Sequence, residues 1–387
     1  MLVKILQKKQ MYLSMKQISL LFAFTLVIQL GCAQENPPMI EIPTETNYSY
    51  EVVVDGLEIP WGMAFISTEE LLVTEKSGTL YHIKEGQKTI VNGLPEVYTR
   101  GQGGLLDVAL HPNFSENKII YMTLGANTEK DDKGGNTALY CATLNGTELS
   151  DVKLLYKATP NSKKGQHFGS RIVFDQEGHL YFGVGDRGNR DENPQDLARD
   201  GGKVYRLNLD GSIPEDNPFV NEAGAKKAVF SYGHRNPQGM VVHPKTGQVW
   251  ENEHGPQGGD EINIIKKGVN YGWPKITYGI NYSGTPITDK TSAPDMEQPF
   301  YYWVPSIAPS GMAFSTSGIY KEWKDNLFVG SLKFEYLERL VIQNNKVVKR
   351  EKVLDKIGRV RNVVEGPDGY LYLGVEGKGI VKIVPTS

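Results

Sequence analysis

An all-β fold is predicted: a six-bladed β-propeller of four-stranded antiparallel blades, with long loops on one rim. Three observations carry this expectation. Short runs of alternating Val, Ile, Leu, Phe and Tyr, punctuated by Gly, Asn and Asp turns, dominate the chain, and no window carries a long amphipathic helix. One phrase, an apolar strand, a turn and a second apolar-aromatic strand, occurs six times. The copies start 45 to 72 residues apart, against roughly 40–50 for one four-stranded blade, so three intervals carry long insertions. A single copy is too small to bury its own core, and stacking around a ring solves that problem. A large β-sandwich is the competing reading, and it leaves six copies of one hairpin unexplained.

Taken in order, residues 1–31 read as an export signal. Lys4, Lys8, Lys9 and Lys16 precede an apolar run, Ile18 to Leu30, that ends at "LGCAQENPP". A membrane span needs roughly 20 apolar residues, so the run suits the core of a signal peptide. Cys32 resembles the acylated residue of a bacterial lipoprotein site, although Gln29 stands where Leu is usual. Simple secretion and an uncleaved anchor are the other readings. The expectation is a periplasmic or cell-envelope protein that meets the membrane only through an N-terminal lipid anchor. Residues 32–47 read as a flexible linker and 48–387 as one propeller domain.

Within that domain "YEVVVDGL" precedes the first copy and is expected to pair into the last blade, closing the ring. The copies follow: "MAFISTEELLVTEKSG" from Met63, "VALHPNFSENKIIYMTLG" from Val108, "IVFDQEGHLYFGVGDRG" from Ile172, "MVVHPKTGQVWENEHG" from Met240, "MAFSTSGIYKEWKDNLFVGSL" from Met312 and "VVEGPDGYLYLGVEGKG" from Val363. With two cysteines, a disulfide framework and a cysteine-rich zinc site are excluded. Cys141, in "TALYCATL", reads as a buried core thiol. At 39% apolar residues and a net charge of −3 the chain is too apolar for disorder and gives no reason to expect nucleic acid.

The insertions hold the polar chemistry, and in a propeller they would converge on one end of the central channel. His167 in "KGQHFGSR" and Asp186 in "VGDRG" flank one predicted hairpin. If both reach the same rim, the carboxylate fixes the imidazole tautomer and stabilises the imidazolium, as a general base requires. A loop-closing histidine is the plainer reading. "GHRNPQG" sets Arg235 and Asn236 in a turn made rigid by Pro237, aiming a permanent cation at an oxyanion or carboxylate; a surface salt bridge is its alternative. "EHGPQGGDEIN" looks like a calcium loop, with exposed backbone carbonyls and the hard oxygens of Asp260 and Glu261, or else an acidic surface turn. Lys333, Arg359 and Arg361 form a basic set in which the two arginines share a strand face. Three cations facing a channel repel unless something anionic sits among them, which points to a polycarboxylate or phosphate; exposed strand arginines are the alternative.

Together and in this order, "GQGGLL", "HPNF", "GQHFGSR", "VGDRG", "GHRNPQG", "HGPQGGDEIN", "NYGWP", "GSLK" and "RVRNV" resemble the soluble PQQ-dependent sugar dehydrogenases, especially the bacterial aldose sugar dehydrogenase branch. The resemblance spans about residues 48–384. It implies that His167 takes the proton from the anomeric hydroxyl of an aldose, Asp186 orients it, and a hydride passes to PQQ with Arg235 stabilising charge. It further implies that Gln102, Asn236, Tyr282, Lys333, Arg359 and Arg361 contact the cofactor. One calcium would be held by Gly255 and Pro256, and a second, structural calcium by Glu261 and Tyr271. The electron acceptor is not identified by the motifs. Gln166 and the loops near 187–200 and 275–300 depart from the better-known glucose dehydrogenases, which leaves the sugar open. A lactonase-like calcium-dependent propeller hydrolase would use a channel histidine but has no use for the basic set. A cofactor-less glycan-binding propeller need not keep base, arginine and basic set together.

Overall fold

A computed structural model describes residues 43–127 and 134–386. The export signal and Cys32 lie outside the described residues. Two N-terminal strands, β1 (Thr44–Glu45) and β2 (Tyr48–Val54), precede the first blade. Blade 1 comprises β3 (Pro60–Ser67), β4 (Glu70–Glu75), β5 (Thr79–Lys84) and β6 (Gln87–Val91), and blade 2 β7 (Leu105–Leu110), β8 (Ile119–Ala126), β9 (Asn136–Asn145) and β10 (Glu148–Lys157). Blade 3 comprises β11 (Ile172–Phe174), β12 (His179–Val184), β13 (Lys203–Asn208) and β14 (Val229–Tyr232), and blade 4 β15 (Pro237–Val242), β16 (Val249–Glu253), β17 (Asp260–Ile264) and β18 (Tyr301–Trp303). Blade 5 comprises β19 (Pro309–Phe314), β20 (Leu327–Ser331), β21 (Leu337–Gln343) and β22 (Lys346–Val353). The last blade, β23 (Val360–Glu365), β24 (Leu371–Val375) and β25 (Gly379–Pro385), takes β2 as its outer strand, pairing Tyr50 with Ile383 and Val52 with Val381.

The six-bladed propeller is therefore present, with the N-terminal strand closing the last blade as its sequence implied. Closure in this way leaves the ring no seam held by a single covalent connection. The inner strand of each blade touches that of the next, and β23 completes the circle against β3. Glycine makes this approach possible: a Cβ on Gly239 would stand 2.3 Å from the Ser310 carbonyl of the neighbouring blade. Between blades lie apolar clusters such as Leu72, Leu105, Ile120 and Met122, all under 1% exposed. Within the segment read as linker, Thr44–Glu45 pair in parallel with Lys352–Val353 as a fifth strand on blade 5. Cys141 is half-buried rather than fully buried, since it lies on β9 and packs at the margin of the cluster between blades 2 and 3.

At the centre, Arg171 crosses between blades. Its guanidinium donates to Asp107 Oδ1 at 2.9 Å, and to the carbonyls of Trp61, Gln238 and Arg361 at 3.3 Å each. Blades 1, 2, 4 and 6 are thus tied to the residue that leads into β11.

Candidate active site

The segment after β10 carries His167 and is held from several sides. His167 adopts a left-handed backbone (φ 59°), and its N–H donates to Gln102 Oε1 at 2.7 Å. Gly169 is also left-handed, and a Cβ there would meet the Gly183 carbonyl at 2.6 Å. Phe168 is buried beneath the Arg187 guanidinium, which lies 3.5 Å from the ring centre and donates to the carbonyls of Gln166, Lys164 and Gly135. The β11–β12 hairpin brings its ends to one rim, so that Asp186 Oδ1 lies 2.6 Å from His167 Nδ1. That contact leaves Nε2 as the ring nitrogen available to a reactant.

Asp186 is almost fully buried, yet both oxygens are engaged. Oδ1 also accepts from Gly188 N at 2.7 Å, and Oδ2 accepts from Trp273 Nε1 at 2.9 Å. Burial pushes its carboxyl up, but the hydrogen bond and charge of His167, the charge of Arg235 and the Trp273 N–H bring it below the ordinary carboxylate range. Burial lowers the His167 imidazole, and the Arg235 charge lowers it further against the opposing pull of Asp186. The imidazole is consequently neutral at neutral pH, the form that can accept a proton.

Arg235 sits where β14 turns into β15. Glu253 Oε2 accepts from the backbone N–H of both Arg235 and Asn236, and Arg235 Nη1 donates to the His254 carbonyl at 2.9 Å. His167, Asp186, Arg235, Gln102, Pro256 and Tyr282 line one cavity of about 660 Å³. Its outer wall is polar, with Lys164, Arg190, Asp191 and Glu192. Tyr282 is 76% exposed and stands at the mouth.

Other expected residues lie apart from that cavity. Asn236 does not line it: the side chain is fully buried, with Oδ1 accepting from Gly169 N and Gln238 Nε2 at 3.3 Å each, and Nδ2 has no partner among the described residues. Arg359, just before β23, and Arg361 within it reach the same partner, and that anion is a side chain. Glu376, just after β24, accepts from Arg359 Nε at 2.8 Å and from Arg361 Nε. One carboxylate shared by two guanidiniums offsets only part of their charge. Lys76, which sequence reasoning missed, joins this group: burial and the Arg361 charge lower its ammonium while Glu376 opposes. Lys333 is exposed, its ammonium 5.1 Å from the Phe334 ring centre.

In the β16–β17 loop, Asp260 braces the turn. Oδ1 accepts from Gly255 N at 2.8 Å and Oδ2 from Ala308 N at 2.7 Å. Glu261 faces Glu253 across the β16–β17 pair, as Asn263 faces Glu251. Asn263 Nδ2 is shared among Glu251, Glu253 and Glu261 at 3.3–3.4 Å. His234 is fully buried, stacks on Tyr271 at 4.6 Å, and points Nδ1 at Glu253 Oε1 from 3.4 Å. Burial and the Glu253 charge drive the Glu251 and Glu261 carboxyls well up. Two buried carboxylates and a half-buried third, with one amide between them, is a donor set suited to a hard cation. The alternation of Glu251 and Glu253 in "VWENE" was the sequence signal, and it was overlooked because a buried strand face is expected to be apolar.

Comparison with known proteins accords with this geometry. The glucose/sorbosone dehydrogenase family model matches residues 57–382. The chain is 41% identical over 346 residues to the aldose sugar dehydrogenase YliI of Escherichia coli, covering 87% of this chain and 93% of that protein. The crystal structure of the apo-form of the soluble E. coli aldose sugar dehydrogenase superposes with a TM-score of 0.84 at 39% identity, over 88% of this chain and all of that one. The PQQ-bound aldose sugar dehydrogenase of Streptomyces coelicolor gives 0.72 at 26% identity, over 89% and 99%. With the family model spanning the whole ring, and with the ordered motifs of its loops in place, this chain belongs to the glucose/sorbosone dehydrogenase family of soluble PQQ sugar dehydrogenases.

Proposed function

We propose that this protein oxidises aldose sugars at C1 to the lactone, with PQQ and calcium as cofactors. The observation that carries the reading is the His167–Asp186 pair beside Arg235 on one cavity wall. The residues present fit an anionic, hydrogen-bonding cofactor. Arg235 Nε and Asn236 Nδ2 are buried donors without partners among the described residues, and Lys76, Arg359 and Arg361 outnumber Glu376. When bound, PQQ supplies an electrophilic quinone that accepts the hydride, and calcium strengthens that electrophile.

The protein's own residues perform the rest. His167 Nε2 takes the proton of the anomeric hydroxyl, and Asp186, bonded at Nδ1, stabilises the resulting imidazolium. Burial, with the Arg235 charge adding to it, keeps the imidazole neutral before reaction, and Arg235 meets negative charge that develops beside it. Gly255 and Pro256 would hold the calcium next to the cofactor, and Glu261 and Tyr271, with Glu251 and Glu253, a second one within blade 4. Export to the periplasm or cell envelope, with lipid attachment at Cys32, completes the proposal.

The test is reconstitution of the mature domain with PQQ and Ca²⁺, followed by dye reduction with a panel of aldoses. Activity that needs both additions supports the reading. Binding of PQQ without aldose oxidation removes the substrate assignment, and failure to bind PQQ returns the lactonase or glycan-binding propeller.

A further inference from the structure

The carboxylate of the His–Asp pair is held from a second direction by a residue to which the reaction above assigns no task. Trp273 is 6% exposed, and its indole N–H reaches Asp186 Oδ2 at 2.9 Å across 87 residues of sequence. The two oxygens are therefore divided, with Oδ2 given to Trp273 and Oδ1 to His167 Nδ1 and Gly188 N. A carboxylate is symmetric and turns about its Cβ–Cγ bond. Gly188 alone does not stop that rotation, because its N–H bonds the same oxygen as the histidine. Among the described residues, the indole alone fixes the other end.

Trp273 is itself firmly placed. Its backbone N–H donates to the Gly233 carbonyl at 2.8 Å, and its backbone carbonyl accepts from Gln195 Nε2 at 2.8 Å. The preceding Gly272 has φ 89°, and a Cβ there would stand 2.2 Å from Ile276 Cγ1. The Arg235 guanidinium lies 5.4 Å from the indole ring. One side chain from the β17–β18 connection thus touches the carboxylate after β12 and the cation before β15.

We propose that Trp273 is a positioning residue: its N–H locks Asp186 Oδ2 so that Oδ1 stays on His167 Nδ1 and Nε2 stays turned to the cavity. This rests on His167 being the base. If the N–H is lost, Oδ2 becomes a buried acceptor without a donor. The carboxylate then turns to share its other contacts, and the imidazole loses its fixed direction. Trp273 also lines the cavity, so turnover suffers more than substrate binding in a replacement that keeps the indole's shape and with it the wall.

The experiment replaces Trp273 with β-(3-benzothienyl)alanine, which has the indole's shape with sulfur in place of N–H, alongside W273F. In the PQQ- and calcium-loaded enzyme, kcat is expected to fall roughly tenfold to a hundredfold with KM nearly unchanged, the scale of a mispositioned catalytic group. A second readout needs no activity. In cofactor-free protein labelled with ¹⁵N-histidine, the His167 Nδ1 proton resonance, assigned by its loss in H167A, should move upfield or broaden in both variants. An unchanged resonance overturns the proposal, whether kcat falls or not, because a drop in kcat alone would then belong to the cavity wall. If W273F does not fold, the isosteric variant alone decides. If the resonance moves but the parent oxidises no aldose, the positioning role stands and the proposed substrate falls.

Discussion

Exchanging Arg171 for Met removes the cation at the centre of the ring while keeping much of the side chain's length. The guanidinium is 6% exposed and serves four blades other than its own. Removing one partner of a buried ion pair costs about 3–5 kcal/mol. The three carbonyls that also lose a donor overlap with that figure rather than add to it. The partner left behind is Asp107, 3% exposed, whose carboxyl is pushed up by burial and pulled back by the Arg171 charge. Without Arg171 it moves further up. An acid whose folded pKa is raised contributes its stability below the unfolded value, about 3.9, and loses it as pH rises through the folded one. The deficit of R171M relative to the parent is therefore smallest near pH 4 and reaches its full 3–5 kcal/mol near neutrality. Denaturant unfolding followed by Trp fluorescence at pH 4.5 and 7.5 measures it. A deficit under about 1 kcal/mol at pH 7.5, or equal deficits at both pH values, would refute the assignment of Arg171 as the ring's central tie.

Four further outcomes are expected. H167A should lower kcat by roughly 10² or more while PQQ still binds by absorbance; lost binding would make His167 a scaffold. Because burial and Arg235 lower the His167 imidazole, the acid limb of kcat/KM should lie below the ordinary histidine value of about 6.5, and a limb above that value contradicts the geometry. E376Q removes the carboxylate that competes for Arg359 and Arg361, so equilibrium titration should show tighter PQQ binding with a steeper salt dependence; weaker binding would mean that Glu376 aligns the arginines instead. Since burial and Glu253 raise the Glu251 and Glu261 carboxyls, stability of chelator-treated protein should fall as pH rises toward 8 and return with added Ca²⁺. A Tm indifferent to both chelator and calcium would show that the cluster holds protons.

Much of the ring was legible because each blade repeats one local pattern. Strands at Met63, Val108, Ile172, Met240, Met312 and Val363 all became inner strands, and "YEVVVDGL" took its place beside β25. His167 and Asp186 were readable as a pair because a single hairpin joins them, and a hairpin's register is a local property. Arg171, Lys76 and Trp273 were not, because each acts through partners on other blades. The Glu251–Glu253–Glu261 cluster was hidden for a related reason. Its charges lie on a strand face that ordinary patterning assigns to apolar residues, and only the arrival of His234 and Asn263 makes that burial tolerable.

Composition and periodicity by themselves determined the all-β class, the six copies and the loops that carry chemistry, since alternation and turn residues act over a few positions. The tertiary structure alone decided which charges meet. Glu376 offsets part of the charge of two arginines that look like an open clamp, Asp260 accepts backbone N–H groups at both oxygens, and Trp273 reaches Asp186 from another blade. Electrostatic and hydrogen-bond partners are chosen by distance in space, and ring closure brings together residues that no local pattern connects.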